Sequence, residues 1–316
     1  KYNVEARHRE RSVTLMSHYD EEALKKFRLS GKILRETREE MRVFVRENMP
    51  IIQVCEKAEK LITEKGGKPA FPCNVSINEL AAHYTSPPSD KRTVPQGSVV
   101  KVDIGVHVDG YIADTAVTVC FNREYDNLVA AAEDAVSKGV EIIRSGLFTS
   151  QFGSAIQRVI EAHGLKPISN LTGHQVARYL IHAGRSLPNV SHVSTNRIAA
   201  NEVYAIEPFV TLKTAVGRVE DGKEKNIYRF VKQKKLRDEY ARTLGDFIMA
   251  NFHTLPFAER WLQKVVPPEK HQVAFAELLS SKTLMAYPIF VEVSGKPVAQ
   301  AEHSVLVTKN GCEVLT

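Results

Sequence analysis

The sequence predicts a mixed α+β body, with helices laid over antiparallel sheet and one helical stretch inserted late in the chain. Three observations carry this. Residues 20–62 repeat apolar positions at helical spacing, Leu24, Phe27, Ile33 and Leu34 among them, behind the acidic start Asp20-Glu21-Glu22. Residues 99–119 instead alternate, are rich in β-branched side chains and turn at Asp109-Gly110, the pattern of a hairpin. Two further β-rich blocks, 203–212 and 286–315, flank a helical stretch over 235–281 that holds the only tryptophan, Trp261.

The other elements follow in order. Pro50 separates the first helix from a second that ends near Gly66-Gly67, and helical patterns return over 126–145 and 151–163. No short-period repeat appears, which excludes a solenoid.

The 316 residues are 43% hydrophobic and 25% charged, ordinary for a soluble enzyme with a large core. No apolar run approaches the roughly 18 residues of a membrane span. The start, Lys1-Tyr2-Asn3-Val4-Glu5, is polar and lacks the apolar stretch of a secretion signal. Cys55, Cys73, Cys120 and Cys312 are isolated, with no CxxC pair, so neither a disulfide framework nor a zinc ribbon is expected. A reducing cytosol fits, and the expected location is cytoplasmic. The net charge of +6, 43 Lys+Arg against 37 Asp+Glu, serves solubility or weak attraction to an anionic partner. The densest basic cluster, Lys232 to Arg237, sits where a helix would show a solvated face.

Aspartate is depleted in strands, so Asp103 and Asp114 within one hairpin need a reason. A two-residue turn at Asp109-Gly110 pairs Val108 with Tyr111, which sets Asp114 opposite Gly105 and Asp103 opposite Ala116. The carboxylates are then diagonal neighbours on one face, about 7–8 Å apart at the backbone. Gly105 and Ala116 opposite them are expected to leave room. Two bare carboxylates this close repel, and one takes up a proton unless a cation lies between them. The bland alternative is a pair of solvent-facing aspartates.

Three more segments set polar groups in apolar surroundings: His174 with His182, Glu207 in Tyr204-Ala205-Ile206-Glu207-Pro208, and Glu302 in Ala299-Gln300-Ala301-Glu302-His303. A charged glutamate there is costly unless paired or metal-bound. Taken singly, each reads as a salt bridge or a satisfied core histidine. Together, two Asp, one His and two Glu suit a pair of divalent first-row ions, Mn, Fe, Co or Zn, better than a structural zinc site.

From about residue 20 to the end, the chain resembles the type II methionine aminopeptidases, the archaeal forms in particular. The resemblance rests on an ordered series: Phe71-Pro72, Ala81-Ala82-His83-Tyr84-Thr85, the Asp103/Asp114 hairpin, Thr172-Gly173-His174 and Ile181-His182-Ala183-Gly184. It continues through Tyr204-Ala205-Ile206-Glu207, Thr254-Leu255-Pro256-Phe257, Arg260-Trp261-Leu262 and Ala299-Gln300 with Glu302-His303. It implies a pita-bread (creatinase/aminopeptidase) fold with a pseudo-two-fold β-sheet core and outer helices. Residues 1–316 would form one catalytic domain, with a type II helical subdomain inserted at about 220–285.

By the same resemblance, Asp103, Asp114, His174, Glu207 and Glu302 hold two divalent metal ions (Co, Mn, Fe or Zn), with Asp114 and Glu302 bridging. His83 and His182 are catalytic without being ligands, and Glu207 is the expected proton shuttle. Phe71, Ile181, Pro256 and Tyr287 line a methionine pocket beside the two histidines. The implied reaction is removal of the initiator methionine from nascent polypeptide N-termini, with a small second residue preferred. The implied enzyme is a monomer that binds neither membrane nor DNA, with transient ribosome association left open. Two departures stand out: Ala301 replaces an aromatic, which should loosen packing behind Glu302, and Ser86-Pro87-Pro88-Ser89-Asp90 should alter the rim. The basic N-terminal extension of eukaryotic forms is missing, so no ribosome-anchoring role carries over. Two rivals share the fold: an Xaa-Pro peptidase, and a non-catalytic module that binds RNA and ribosomes after losing its metal ligands.

Overall fold

Asp20 starts the first helix by accepting a hydrogen bond from the Ala23 amide at 2.8 Å, with Glu21 and Glu22 beside the partly positive helix end. The computed structural model describes residues 19–316; the polar start at Lys1–Glu5 lies outside them. Helices α1 (Glu21–Phe44) and α2 (Ile51–Glu64) cover one face of an antiparallel sheet. That sheet has the order β1 (Lys68–Ile77), β3 (Val99–Val108), β4 (Tyr111–Cys120), with the short β2 (Leu80–Ala82) outside it. Leu34, Met41, Val54 and Ile62 meet Val102 and Ile104 in the core between them. Each such side chain contributes roughly 1.5–3 kcal/mol when fully buried.

The β3–β4 turn places Asp109 at φ 51° and Gly110 at φ 88°, the left-handed pair that a two-residue type I′ turn requires. Its register therefore follows the sequence: Val108 pairs with Tyr111, Gly105 with Asp114 and Asp103 with Ala116.

A second half repeats this build. Helices α3 (Asp126–Ile142) and α4 (Thr149–Ala162) precede β5 (Lys166–Pro167), β6 (Thr172–Val176), β7 (Ser186–Pro188), β8 (Val203–Ile206) and β9 (Phe209–Thr211). Leu128, Phe152 and Ile156 pack on Tyr204, Ile206 and Val305 there. Ala301 lies buried in the same cluster.

The next segment carries β10 (Val219–Asp221), β11 (Ile227–Phe230), α5 (Glu239–Phe252), β12 (Phe257–Ala258), α6 (Pro268–Ser280), β13 (Leu284–Tyr287) and β14 (Phe290–Glu292). It has its own core, with Tyr228, Leu244, Phe257, Leu262, Phe275 and Leu278. The helical stretch expected over 235–281 is built of two helices, separated by Pro256, Pro267 and a 3-10 turn at Glu259–Leu262. A three-stranded sheet, β12-β11-β13, joins them. The basic cluster is also not helical. Asp238 caps α5 by accepting from the Ala241 amide at 2.7 Å, which leaves Lys232 to Arg237 in irregular chain before the helix.

Strands β15 (Val298–Gln300), β16 (His303–Val307) and β17 (Cys312–Val314) complete the sheets β15-β9-β5 and β17-β16-β8-β6-β7. Between β15 and β16 the chain crosses β4, joining the two halves. Thr118 Oγ1 donates to the Gln300 carbonyl at 2.6 Å, Thr115 Oγ1 to the Glu302 carbonyl at 2.6 Å, and the Glu302 amide to the Ala116 carbonyl at 3.2 Å. All four cysteines are free. Among the described residues no helix is long and apolar enough to cross a membrane.

Candidate metal centre

Five acidic or imidazole side chains arrive at this seam from four parts of the chain. Asp103 and Asp114 are diagonal across the β3–β4 ladder, and Asp103 also faces Asn74 on β1. His174 on β6 pairs with Ala205 on β8, so Glu207, two residues beyond Ala205, is its diagonal neighbour. Pro208 lacks an amide hydrogen, and the chain leaves the ladder at Glu207-Pro208 before resuming as β9. Glu302 sits in the corresponding break between β15 and β16.

The space at Gly105 has a different use from the one expected. A β-carbon there would overlap the Phe71 ring, so the missing side chain admits an aromatic wall from β1 rather than an ion. The hairpin's sequence alone carries no sign of a third strand bringing that ring across.

Ligand atoms of Asp114, His174 and Glu302 lie within 4.8 Å of one another, close enough to share one ion. His174 Nε2 is 3.6 Å from Asp114 Oδ2 and 3.3 Å from Glu207 Oε1. Asp114 is 4% exposed and Glu302 2%, so water screens them little. Burial, opposed by hydrogen bonds from Asn74 and Gln300, pushes the Asp103 carboxyl up to about 7. Burial, then the Asp103 charge, holds Asp114 well above the usual carboxylate range. Burial and the neighbouring acids do the same for Glu207 and Glu302. Burial, followed by His182, keeps His174 well below the usual imidazole value, hence neutral and able to ligate.

Among the described residues, no lysine or arginine forms an ion pair with any of these four carboxylates. Asp103 Oδ1, Asp114 Oδ1 and Glu302 Oε1 are buried without a hydrogen-bond partner. Buried acceptors in this condition are costly. Divalent cations satisfy both the orphaned oxygens and the uncompensated charge, and the oxygen-rich set with one imidazole fits them.

Beside the cluster lies a cavity of about 480 Å³, within the range of small-ligand sites. It collects every residue given a ligand, catalytic or pocket role from the sequence: Asp103, Asp114, His174, Glu207 and Glu302; His83 and His182; Phe71, Ile181, Pro256 and Tyr287. His83 has a left-handed backbone, φ 67°. Its Nδ1 is 3.3 Å from the Pro288 carbonyl. A carbonyl only accepts, so that nitrogen carries the proton and Nε2 is left as an acceptor. Burial, then His182, depresses the His83 imidazole to about 4. The His83 ring lies 4.5 Å from that of Phe290 and 5.8 Å from that of Tyr287, while the His182 ring is 4.4 Å from that of His174.

Asn74 and Gln300 have no role in the sequence-based expectations. Asn74 lies opposite Asp103 across the β1–β3 ladder, and Gln300 Nε2 donates to Glu302 Oε2 at 3.4 Å. The signal that could have found them is a lone amide in each of two otherwise apolar strands, Ala70 to Val75 and Val298 to Ala301.

Two helix-covered halves joined at a buried acidic seam form a metal-dependent hydrolase of the pita-bread fold. The chain belongs to Metallopeptidase family M24, whose sequence model matches residues 25–309. It is 44% identical to a methionine aminopeptidase of Methanocaldococcus jannaschii over 287 residues, 91% of this chain and 96% of that protein. Its fold is similar to that of a thermophilic Arx1, with a TM-score of 0.79 at 17% identity, over 94% of this chain and 91% of that one. It is also similar to a methionine aminopeptidase structure from Thermotoga maritima, with a TM-score of 0.68 at 21% identity, over 94% and 98% of the two chains.

Proposed function

We propose that this cavity removes the initiator methionine from new polypeptides, so that the protein is a methionine aminopeptidase. The observation that carries the reading is the unpaired carboxylate cluster opening into a recess walled by Phe71, Ile181, Pro256 and Tyr287. Asp103, Asp114, His174, Glu207 and Glu302 are the residues that would hold two divalent ions, of Co, Mn, Fe or Zn. When bound, such ions would supply Lewis acidity, lowering the pKa of water and polarising a peptide carbonyl.

The chain's own groups do the rest. Glu207 takes a proton from the attacking water and returns it to the departing amine. His182 donates to the carbonyl oxygen as negative charge develops on it. His83 Nε2, an acceptor, takes the N–H of the scissile bond or of the next residue. The substrate's free amine settles near Asp103, which confines cleavage to the first bond. A flexible thioether suits the mixed aromatic and aliphatic recess. His83 packs against the Tyr287 and Phe290 rings in the cavity wall, and this crowding favours a small second residue. The substrates are nascent chain N-termini, met in the cytosol by a monomer, and the exposed Lys232, Lys234, Lys235 and Arg237 offer positive charge for a transient contact with the ribosome.

The test is methionine release from Met-Ala-Ser by metal-loaded and metal-stripped protein, with an Xaa-Pro peptide as the control substrate. Turnover of Met-Ala-Ser that vanishes on stripping and returns on reloading is the expected result. Preference for the Xaa-Pro peptide, or no turnover with metal bound, contradicts it.

A further inference from the structure

Glu59 lies on α2, outside the cavity, yet its carboxylate gathers donors from β1, which lines it, and from the 3-10 turn Glu259–Leu262 that follows Pro256. The Cys73 amide of β1 donates to Oε1 at 3.1 Å, the Trp261 indole donates to Oε2 at 2.8 Å, and the Arg260 guanidinium pairs with Oε1. The Glu59 and Arg260 side chains are only 12% and 6% exposed. The contacts close into a ring. Arg260 also donates to Thr85 Oγ1 and to the Ser86 carbonyl, each at 2.9 Å, and Thr85 Oγ1 donates to the Cys73 carbonyl at 2.7 Å.

Three members of this ring lie a few residues along the chain from the lining of the cavity. Cys73 lies between Phe71 and Asn74, Thr85 follows His83 by two residues, and Arg260 follows Pro256 by four. The β12 strand beside Pro256 pairs with β11, which in turn sets Ile227 against Tyr287. A buried ion pair is weak support for stability, because desolvation offsets most of its attraction. Directional contacts from two elements to one carboxylate do fix relative placement.

We propose that Glu59 is a positioning residue: it holds the Phe71, His83 and Pro256–Tyr287 walls at the spacing that fits a methionine side chain. This rests on the methionine aminopeptidase reading. Glu59 touches no reacting atom. Its loss therefore weakens side-chain recognition equally in ground and transition states, which raises KM and leaves kcat in place.

The test uses metal-loaded Glu59→Gln and the double variant Glu59→Gln/Arg260→Met, which leaves no unpaired buried charge. Metal content, melting temperature, and kcat and KM for Met-Ala-Ser and Leu-Ala-Ser are measured. Glu59→Gln is expected to keep its metal and to raise KM for Met-Ala-Ser at least fivefold, taking about a fivefold change as decisive, with kcat within about twofold. Discrimination of Met over Leu falls about tenfold, the low end of what one misfitted methylene is worth. The double variant recovers the melting temperature but not KM or discrimination, whereas a purely structural role predicts that all three return together. Wild-type KM and discrimination in Glu59→Gln, or their recovery in the double variant, overturns the proposal. If Glu59→Gln does not fold, the double variant alone decides, and if neither folds, Glu59 is structural and the proposal is overturned. Failure of wild-type protein to cleave Met-Ala-Ser would instead count against the underlying function.

Discussion

His174 Nε2 stands 3.3 Å from Glu207 Oε1 although 33 positions separate them, because both project from one face of the β6–β8 ladder, one step off register. Asp103 and Asp114 bear the same diagonal relation across β3 and β4. Each half of the fold thus delivers two candidate ligands by one strand geometry, and Glu302 adds the fifth at the crossing between them.

Replacing His174 by alanine removes the only imidazole in the ligand set. Bound metal should fall by about one equivalent, and kcat/KM for Met-Ala-Ser by more than about 100-fold, the upper range for outer-shell changes. Elemental analysis and steady-state kinetics at limiting and saturating metal check this. Full activity under both conditions would remove His174 from the site.

The metal-free protein should lose stability as pH rises. Its buried carboxyls hold protons that the unfolded chain releases near pH 4, so the folded state binds more protons across the intervening range. For Asp103 the loss runs from about 4 up to its raised value of about 7. Melting temperatures of stripped protein should therefore fall between pH 5 and 8, while added Mn or Co raises them most at the upper end and releases protons. A stripped protein whose stability rises over that range would show these carboxyls already ionised.

Gly105→Ala should push the Phe71 ring out of its place. Overpacking of this kind costs about 1–3 kcal/mol, visible as a lowered melting temperature. KM for methionine-led peptides should rise while metal content is retained. An unchanged KM would mean that Phe71 is not a wall of the methionine recess.

Asn74→Ala and Gln300→Ala should each weaken metal binding about 10- to 100-fold, as loss of an outer-shell partner does. Asn74 sits opposite Asp103 in the β1–β3 ladder, and Gln300 donates to Glu302. Metal titration followed by calorimetry reads this directly, and wild-type affinity in both variants contradicts it.

The hairpin was legible because Asp109-Gly110 permits a two-residue turn and the period of a strand then leaves one pairing. His174, Glu207 and Glu302 were legible only as misfits, polar groups in apolar runs whose convergence depends on the meeting of two halves. Packing across strands was not legible. The room at Gly105 belongs to Phe71, and Glu59 meets Arg260 across 201 positions. Local chemistry also overrode periodicity between β9 and β15, where Asp238 starts α5 only after the basic run.

Anomalous X-ray scattering from crystals grown with manganese puts the central idea to its most direct trial. Two peaks are expected, both inside the ring of Asp103, Asp114, His174, Glu207 and Glu302, with Asp114 and Glu302 touching each. Absence of any peak there at saturating manganese, with these oxygens satisfied by protons or by basic side chains, would contradict the account.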